Sequence, residues 1–409
     1  MLMKRLNMLR GLRTFSCAFS SVFSFCLTAT LLWGAPASAQ TGDPAAADLP
    51  ALSKARIQPP KPVAFEVRTL VEGLAHPWSM AWLPNGEVLV TERAGRLRRL
   101  SADFKLDPEP IKGLPPIVVK GQGGLFDVAV HPQAARNGWI YLSYNEPAPD
   151  NAELFGTALM RAKLRDGQLV EQQPLFSLSP KSSRAFHFGG RIVFDGKGQV
   201  FLTLGDRGEM PRAQASRDHA GSVVRLKEDG GVPADNPYVN SPDQLPQVYS
   251  RGHRNIQGAA LNPRSGELWA HEHGPQGGDE LNIIRSGRNY GWPVITYGVN
   301  YVTGTKIGEG THKEGMEQPL HVWVPSIAVS GMAFYEGDAF PAWKGSLFVG
   351  SLAGTHLVRL ELQGDRVVRE ERVITGQVGR IRDVRVGPDG LIYLLTDAPQ
   401  GKLLRLEPR

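Results

Sequence analysis

The run DGKGQVFLTLGD, from Asp195 to Asp206, decides the fold. A glycine-rich turn leads into a short strand of alternating apolar residues, which is the pattern of a β-hairpin arm. The same unit recurs along the chain. Pro84-Asn85-Gly86 precedes EVLVTE, Asn137-Gly138 precedes WIYLSY, and Pro263 to Gly266 precedes ELWAHE. Trp343-Lys344-Gly345 precedes SLFVGS, and Pro388-Asp389-Gly390 precedes LIYLLTD. Six copies over roughly 340 residues give a period of about 57, a four-stranded blade with loop to spare. No convincing amphipathic helix interrupts them, and 46 Gly with 31 Pro suit a turn-rich chain. The expectation is an all-β protein, a six-bladed β-propeller. A β-sandwich is the alternative, but its strands would not carry one turn signature at near-regular spacing.

The repeats begin well inside the chain. Lys4, Arg5, Arg10 and Arg13 precede an apolar run from Phe15 to Trp33, and Ala37-Ser38-Ala39 closes it with small residues. This is the form of a secretory signal peptide over residues 1–39. A retained membrane anchor is the alternative, but the run carries several Ser and Thr and ends in a cleavage-type triplet. Cleavage removes four basic residues and no acid, so the formal charge falls from +6 to +2. The basic balance therefore belongs to the leader and makes no case for nucleic acid. Both cysteines, Cys17 and Cys26, leave with it. The exported protein is expected in the periplasm or outside the cell, without thiols, disulfides or a membrane span. Residues 40–63 are rich in Ala and Pro and read as a flexible linker. The propeller is assigned to residues 64–409, and about 370 residues suffice for a large core.

A propeller gathers the loops at one end of its channel, so polar residues distant in sequence can share a pocket. Four clusters stand out: Gln122 to Leu125; His187 to Arg191 with Gly205 to Gly208; the segment Gly252 to Trp292; and Gly379 to Asp383. His187, between Phe186 and Phe188, is the general-base candidate, because a neutral imidazole accepts a proton near pH 7. Asp206 is a plausible orienting partner. The alternative for His187 is a buried structural histidine. Arg254, Arg380 and Arg382 come from two distant loops and suit a ligand with several carboxylates; salt bridges between blades are the plainer reading. Gly274-Pro275-Gln276-Gly277-Gly278-Asp279-Glu280 looks like a loop for a hard cation, with carbonyls and carboxylates as ligands and Tyr290 as a further oxygen. A polar turn would look much the same. His253, His271 and His273 lack the spacing of a zinc motif. No phosphate loop, dinucleotide fingerprint or Gly-x-Ser-x-Gly elbow is present.

Taken in order, GLAHPWSMAWLPNG, QGGLFDVAVHP, HFGGRIVFDGKG with LGDRG, RLKEDGGVPADNPY, GHRNIQGAALNP, EHGPQGGDELN, NYGWP, SGMAFYEG and RIRDVRVGPDG resemble the soluble quinoprotein aldose (glucose/sorbosone) dehydrogenases. Those enzymes use pyrroloquinoline quinone (PQQ) with calcium on a six-bladed propeller, and the resemblance runs from about Val67 to Leu406. It implies an enzyme that oxidises aldoses and passes electrons to an external acceptor. His187 would be the catalytic base, Asp206 its orienting carboxylate, and Arg254 the group that stabilises charge growing on the quinone. Gln122, Asn255, Arg380 and Arg382 would hold the cofactor, with Tyr301 a further candidate. Carbonyls of Gly274 and Pro275 would bind the calcium at the quinone, and Asp279, Glu280 and Tyr290 match a calcium-binding part of the family motif. One position departs from the pattern. Where the glucose enzyme has a lysine after the strand LFVGSL, this chain has Ala353. A propeller that binds carbohydrate or protein without catalysis is the competing reading, since the fold alone does not choose a function.

Overall fold

In each repeat the turn opens a hairpin, and the strand after the turn becomes the second strand of one sheet. The computed structural model describes residues 57–409 and places these hairpins in six sheets. The six second strands are Val88–Glu92, Trp139–Pro147, Gln199–Leu204, Leu268–Glu272, Ser346–Ser351 and Ile392–Thr396. Each pairs antiparallel with a first strand: Pro77–Trp82, Leu125–Val130, Gly189–Phe194, Ile256–Leu261, Val329–Tyr335 and Ile381–Val386. The first strands touch one another in cyclic order and the last returns to the first, so the ring closes as a six-bladed propeller. Blades are numbered one to six in that order. Blade one has three strands, and the others have four or more.

The second strands differ from the alternating pattern expected of them. Val88–Glu92, Leu268–Glu272, Ser346–Ser351 and Ile392–Thr396 are buried at every residue. The cause is the stacking of blades, which covers both faces of each sheet. Trp269, Leu281 and Ile283 of blade four, for example, pack against Val329, Met332, Leu347 and Val349 of blade five. Each such aliphatic side chain contributes about 1.5–3 kcal/mol when fully removed from water.

Closure uses both ends of the described chain. Phe65–Leu74 pairs antiparallel with the C-terminal strand Gly401–Pro408 and completes blade six. Joining the termini hides two sheet edges that would otherwise present unpaired N–H and C=O groups. The linker expected through residue 63 is ordered at its end. Ile57–Gln58 adds a parallel strand to blade five, Arg369 donates to Gln58 Oε1 at 2.6 Å, and Lys61 pairs with Glu361 at 2.8 Å. Complementary charge along the blade edge supplies what its Ala- and Pro-rich composition lacks. The leader expected at residues 1–39 lies outside the described residues. Among those described, no helix is long and apolar enough to cross a membrane.

Candidate active site

In antiparallel neighbours the start of one strand lies beside the end of the next. His187, Arg254 and Arg380 lie just before first strands, and Arg93, Asp206, His273 and Asp397 just after second strands. One end of the propeller therefore collects them all. A cavity of about 220 Å³ opens there, walled by the aromatic rings of Trp78, Phe126 and Phe188 and by Gln122, Asn255, Arg380, Arg382 and Asp397. Below it the channel is plugged. Arg191 pairs with Asp383 at 2.9 Å, Arg385 pairs with Asp127 at 2.8 Å and Asp383 at 2.9 Å, and the Arg191 guanidinium lies 4.2 Å from the Trp78 ring. Asp383 thus neutralises channel arginines and leaves Arg380 and Arg382 to the cavity.

His187 has a fixed setting. Its Nδ1 is 2.6 Å from Asp206 Oδ1. A carboxylate only accepts, so Nδ1 carries the proton and Nε2 keeps its lone pair. The backbone N–H of His187 donates to Gln122 Oε1 at 2.9 Å. Its φ of +50° is left-handed, a conformation that costs a non-glycine residue about 1–2 kcal/mol. Two features hold it there. Arg207, fully buried, donates to the carbonyls of Arg184 and Phe186 and lies 3.5 Å from the Phe188 ring. Gly205 lets the loop come close, since a Cβ there would stand 2.3 Å from the His187 carbonyl oxygen. Burial lowers the His187 pKa below 6.5 against the pull of Asp206, and Arg254 and Arg207 push the same way as burial. Burial opposes ionisation of Asp206, but His187, Arg254 and the Gly208 N–H together hold it below the usual carboxylate range. Burial brings the Arg207 guanidinium down to about 9.

Arg254 and Asn255 stand at the start of blade four. The Arg254 N–H donates to Glu272 and its guanidinium donates to the His273 carbonyl at 3.3 Å. Asn255 Oδ1 accepts from the Gly189 N–H and from Gln257 Nε2, both at 3.2 Å, so this side chain stitches blade three to blade four. Across the cavity Arg380 and Arg382 share one oxygen of Asp397 at 3.0 and 3.1 Å, and His76 takes the other at 2.9 Å. Although burial raises its pKa, the Arg382 and Arg380 guanidiniums and the His76 hydrogen bond hold Asp397 far below the ordinary carboxylate value. Arg380 also reaches the Leu352 carbonyl at 3.4 Å, beside Ala353.

The Gly274-to-Glu280 loop divides into parts. Asp279 is spent on structure: it accepts from the Gly274 N–H at 3.0 Å, Ser326 Oγ at 2.8 Å and the Ala328 N–H at 2.8 Å. The Tyr290 hydroxyl is likewise engaged, donating to the Ile283 carbonyl and accepting from the Arg285 N–H. Only its backbone oxygen is left for an ion. Tyr301 is 60% exposed, and its hydroxyl donates to the Pro275 carbonyl at 3.0 Å. Glu280 has no cationic partner among the described residues. Burial, then the neighbouring Glu272, push its carboxyl well above the usual range. Both acids line a void of about 10 Å³ together with Gly274 and Tyr290, room for about one water-sized particle. An acid pair around such a void fits a small cation. Among the described residues no three His, Cys, Asp or Glu side chains are grouped to hold a metal, so any ion here relies on carbonyl oxygens, a preference of calcium. His253 is bound to Ser250 and Glu272 and stacks on Tyr290, which is a structural role.

Several site residues escaped sequence reasoning. Trp78, Arg93, Gln257, His273 and Asp397 line the cavity. Trp292 donates to Asp206 Oδ2 at 2.8 Å. Asp397 could have been found as the acid that ends the sixth repeat, LIYLLTD; the others follow only from how the blades close.

Comparison with known proteins identifies the family. The sequence profile described as glucose/sorbosone dehydrogenase matches residues 74–405. The chain is 44% identical over 353 residues to the aldose sugar dehydrogenase YliI of Escherichia coli, covering 85% of this chain and 94% of that protein. The crystal structure of the soluble aldose sugar dehydrogenase of Escherichia coli in its apo form superposes with a TM-score of 0.81 at 44% identity, covering 84% of this chain and all (100%) of that one. The PQQ-bound aldose sugar dehydrogenase of Streptomyces coelicolor superposes with a TM-score of 0.70 at 28% identity, over 86% of this chain and 100% of that one.

Proposed function

The chain belongs to the glucose/sorbosone dehydrogenase family, and from that premise we propose that it is an exported, periplasmic quinoprotein that oxidises aldoses at C1 to lactones. PQQ would be the hydride acceptor, and an external acceptor would then take the electrons. The observation that carries this reading is the joining of a preset base to a cationic cavity. His187 Nε2 is free beside Phe188, while Arg93, Arg380 and Arg382 face the cavity against the single carboxylate of Asp397.

The residues present fit the quinone, a planar tricarboxylate. Aromatic rings of Trp78, Phe126 and Phe188 offer flat contact, and the surplus guanidiniums offer paired donors to carboxylates. Gln122, Asn255, Arg380 and Arg382 hold it in this reading, and Tyr301 acts through its bond to the Pro275 carbonyl. Calcium is assigned to the carbonyls of Gly274 and Pro275, and the Glu280 carboxylate with the Tyr290 carbonyl forms a second place for it. Asp279 supports both by fixing the loop. When bound, the quinone supplies a two-electron acceptor for hydride. His187 Nε2 receives the proton of the C1 hydroxyl, and Asp206 stabilises the imidazolium that results. Arg254 presents positive charge where negative charge develops. Arg382, Arg380 and backbone near Leu352 supply the charge balance at the position where Ala353 replaces a lysine.

The test is dye reduction by the purified apoprotein after addition of PQQ and calcium, across a panel of aldoses. Turnover with lactone as product supports the reading. Quinone binding without reduction by any aldose sinks it and leaves a non-catalytic propeller that binds carbohydrate or protein.

A further inference from the structure

Asp206 is held at both of its carboxylate oxygens. Oδ1 faces His187 Nδ1 at 2.6 Å and the Gly208 N–H at 2.7 Å. Oδ2 faces the indole Nε1 of Trp292 at 2.8 Å, from a residue 86 positions later in the chain. An indole N–H only donates, so it holds the second oxygen in one direction and fixes the carboxylate plane. Trp292 is itself buried, 6% exposed, and anchored through its backbone: its main-chain N–H donates to the Gly252 carbonyl at 2.9 Å, and its carbonyl accepts from Gln214 Nε2 at 2.7 Å. The Arg254 guanidinium lies 5.4 Å from its ring, in cation–π range. One side chain therefore touches the acid behind the base and the arginine opposite.

We propose that Trp292 is a positioning residue that sets the orientation and basicity of the His187–Asp206 pair and places Arg254 beside it. The inference rests on the quinoprotein reading for its catalytic meaning, but its physical content does not need the quinone. A neutral donor on Oδ2 draws charge from the carboxylate. Less charge then remains to stabilise an imidazolium at Nδ1, so His187 stays neutral to lower pH. The charged and titratable groups that face His187 are Asp206, Arg254, Arg207 and, more distantly, His273. Of these, Trp292 bonds to Asp206 directly and contacts Arg254 only through its ring.

The experiment compares wild type with Trp292→Phe, which keeps an aromatic ring and loses the donor. Nitrogen-15 NMR follows His187 in the quinone-free protein, and the pH profile of turnover is read after loading with PQQ and calcium. The variant is expected to raise the His187 pKa by on the order of one unit. The acid limb of turnover should move up by the same amount, with aldose KM unchanged. An unchanged His187 titration overturns the proposal. If Trp292→Phe does not fold, the wild-type indole N–H resonance decides. It should shift with the midpoint of His187, and a resonance that stays flat through that titration overturns the proposal. Failure of the loaded wild type to oxidise any aldose counts against the proposed function alone, because the NMR arm is independent of turnover.

Discussion

The two walls of the site, one at His187 beside the cavity and one at the arginines that line it, are held in opposite ways. On the His187 wall every polar atom of the histidine but one has a fixed partner: Nδ1 on Asp206, the backbone N–H on Gln122 and the carbonyl on the Arg207 N–H, with Asp206 in turn on Trp292 and Gly208. The atom left free is Nε2. On the Arg380 wall two guanidiniums and an imidazole share one carboxylate, Asp397. The first wall is complete, and its cost is paid in backbone strain and burial before substrate arrives. The second is charge-unbalanced, and in the proposed function an anion completes it. The difference separates chemistry from binding: reorganisation is avoided where a proton moves, and electrostatic demand is left open where a ligand docks.

The comparison breaks most sharply at His187. His187→Ala is expected to lower kcat by about 100-fold or more while leaving quinone affinity unchanged, as read by steady-state kinetics beside an absorbance titration of PQQ. A loss of affinity equal to the loss of kcat would merge the two walls. Arg382→Gln is expected to do the reverse and weaken quinone binding by about 10- to 100-fold, the value of a charged hydrogen bond in a covered site. Arg380→Gln should cost less, because its side chain is 48% exposed against 12% for Arg382, and solvent screens it. Isothermal titration of both variants with PQQ ranks them.

A smaller effect comes from pH. Burial holds His187 below 6.5 against the pull of Asp206, so the neutral base predominates at and above that pH. Turnover should therefore be flat through pH 6.5 and fall only below it, while quinone binding stays level over the same range. In and beneath the cavity wall, burial drops His273 and His271 to about 3, below their unfolded value of 6.5. The unfolded chain binds those protons first, so their contribution is fully present above 6.5 and is lost as pH falls toward 3. Thermal unfolding should show a falling Tm over that window, and replacing His271 by a neutral isostere should flatten the slope.

The turn-and-strand repeat made the six blades legible, because each copy fell on a second strand with the same neighbours. What it could not show was ring closure. The pairing of Phe65–Leu74 with Gly401–Pro408 joins segments over 300 residues apart and leaves no local signal. The buried second strands also misled in detail, since stacking of blades removes the exposed face that alternation presumes. At the site, residues at loop ends could be picked out by type: His187, Asp206, Arg254, Arg380 and Arg382 stand together as a consequence of strand order. Their partners could not be read in the same way. Trp292 looks like core until its indole is seen on Asp206, and Arg207 looks like a surface charge until it is found buried under the His187 loop. The acids of the Gly274-to-Glu280 loop looked alike in sequence, yet Asp279 is bound up in backbone hydrogen bonds and Glu280 is not. That division is tertiary.

The account stands on one claim, that His187 and the arginine wall act on the same bound quinone. Anaerobic single-turnover spectroscopy of protein loaded with PQQ and calcium tests it most directly. Mixing with an aldose should convert the oxidised quinone spectrum to the reduced one in wild type, and His187→Ala should bind the quinone equally but convert at least about 100-fold more slowly. A variant that is reduced by sugar as fast as wild type would contradict it.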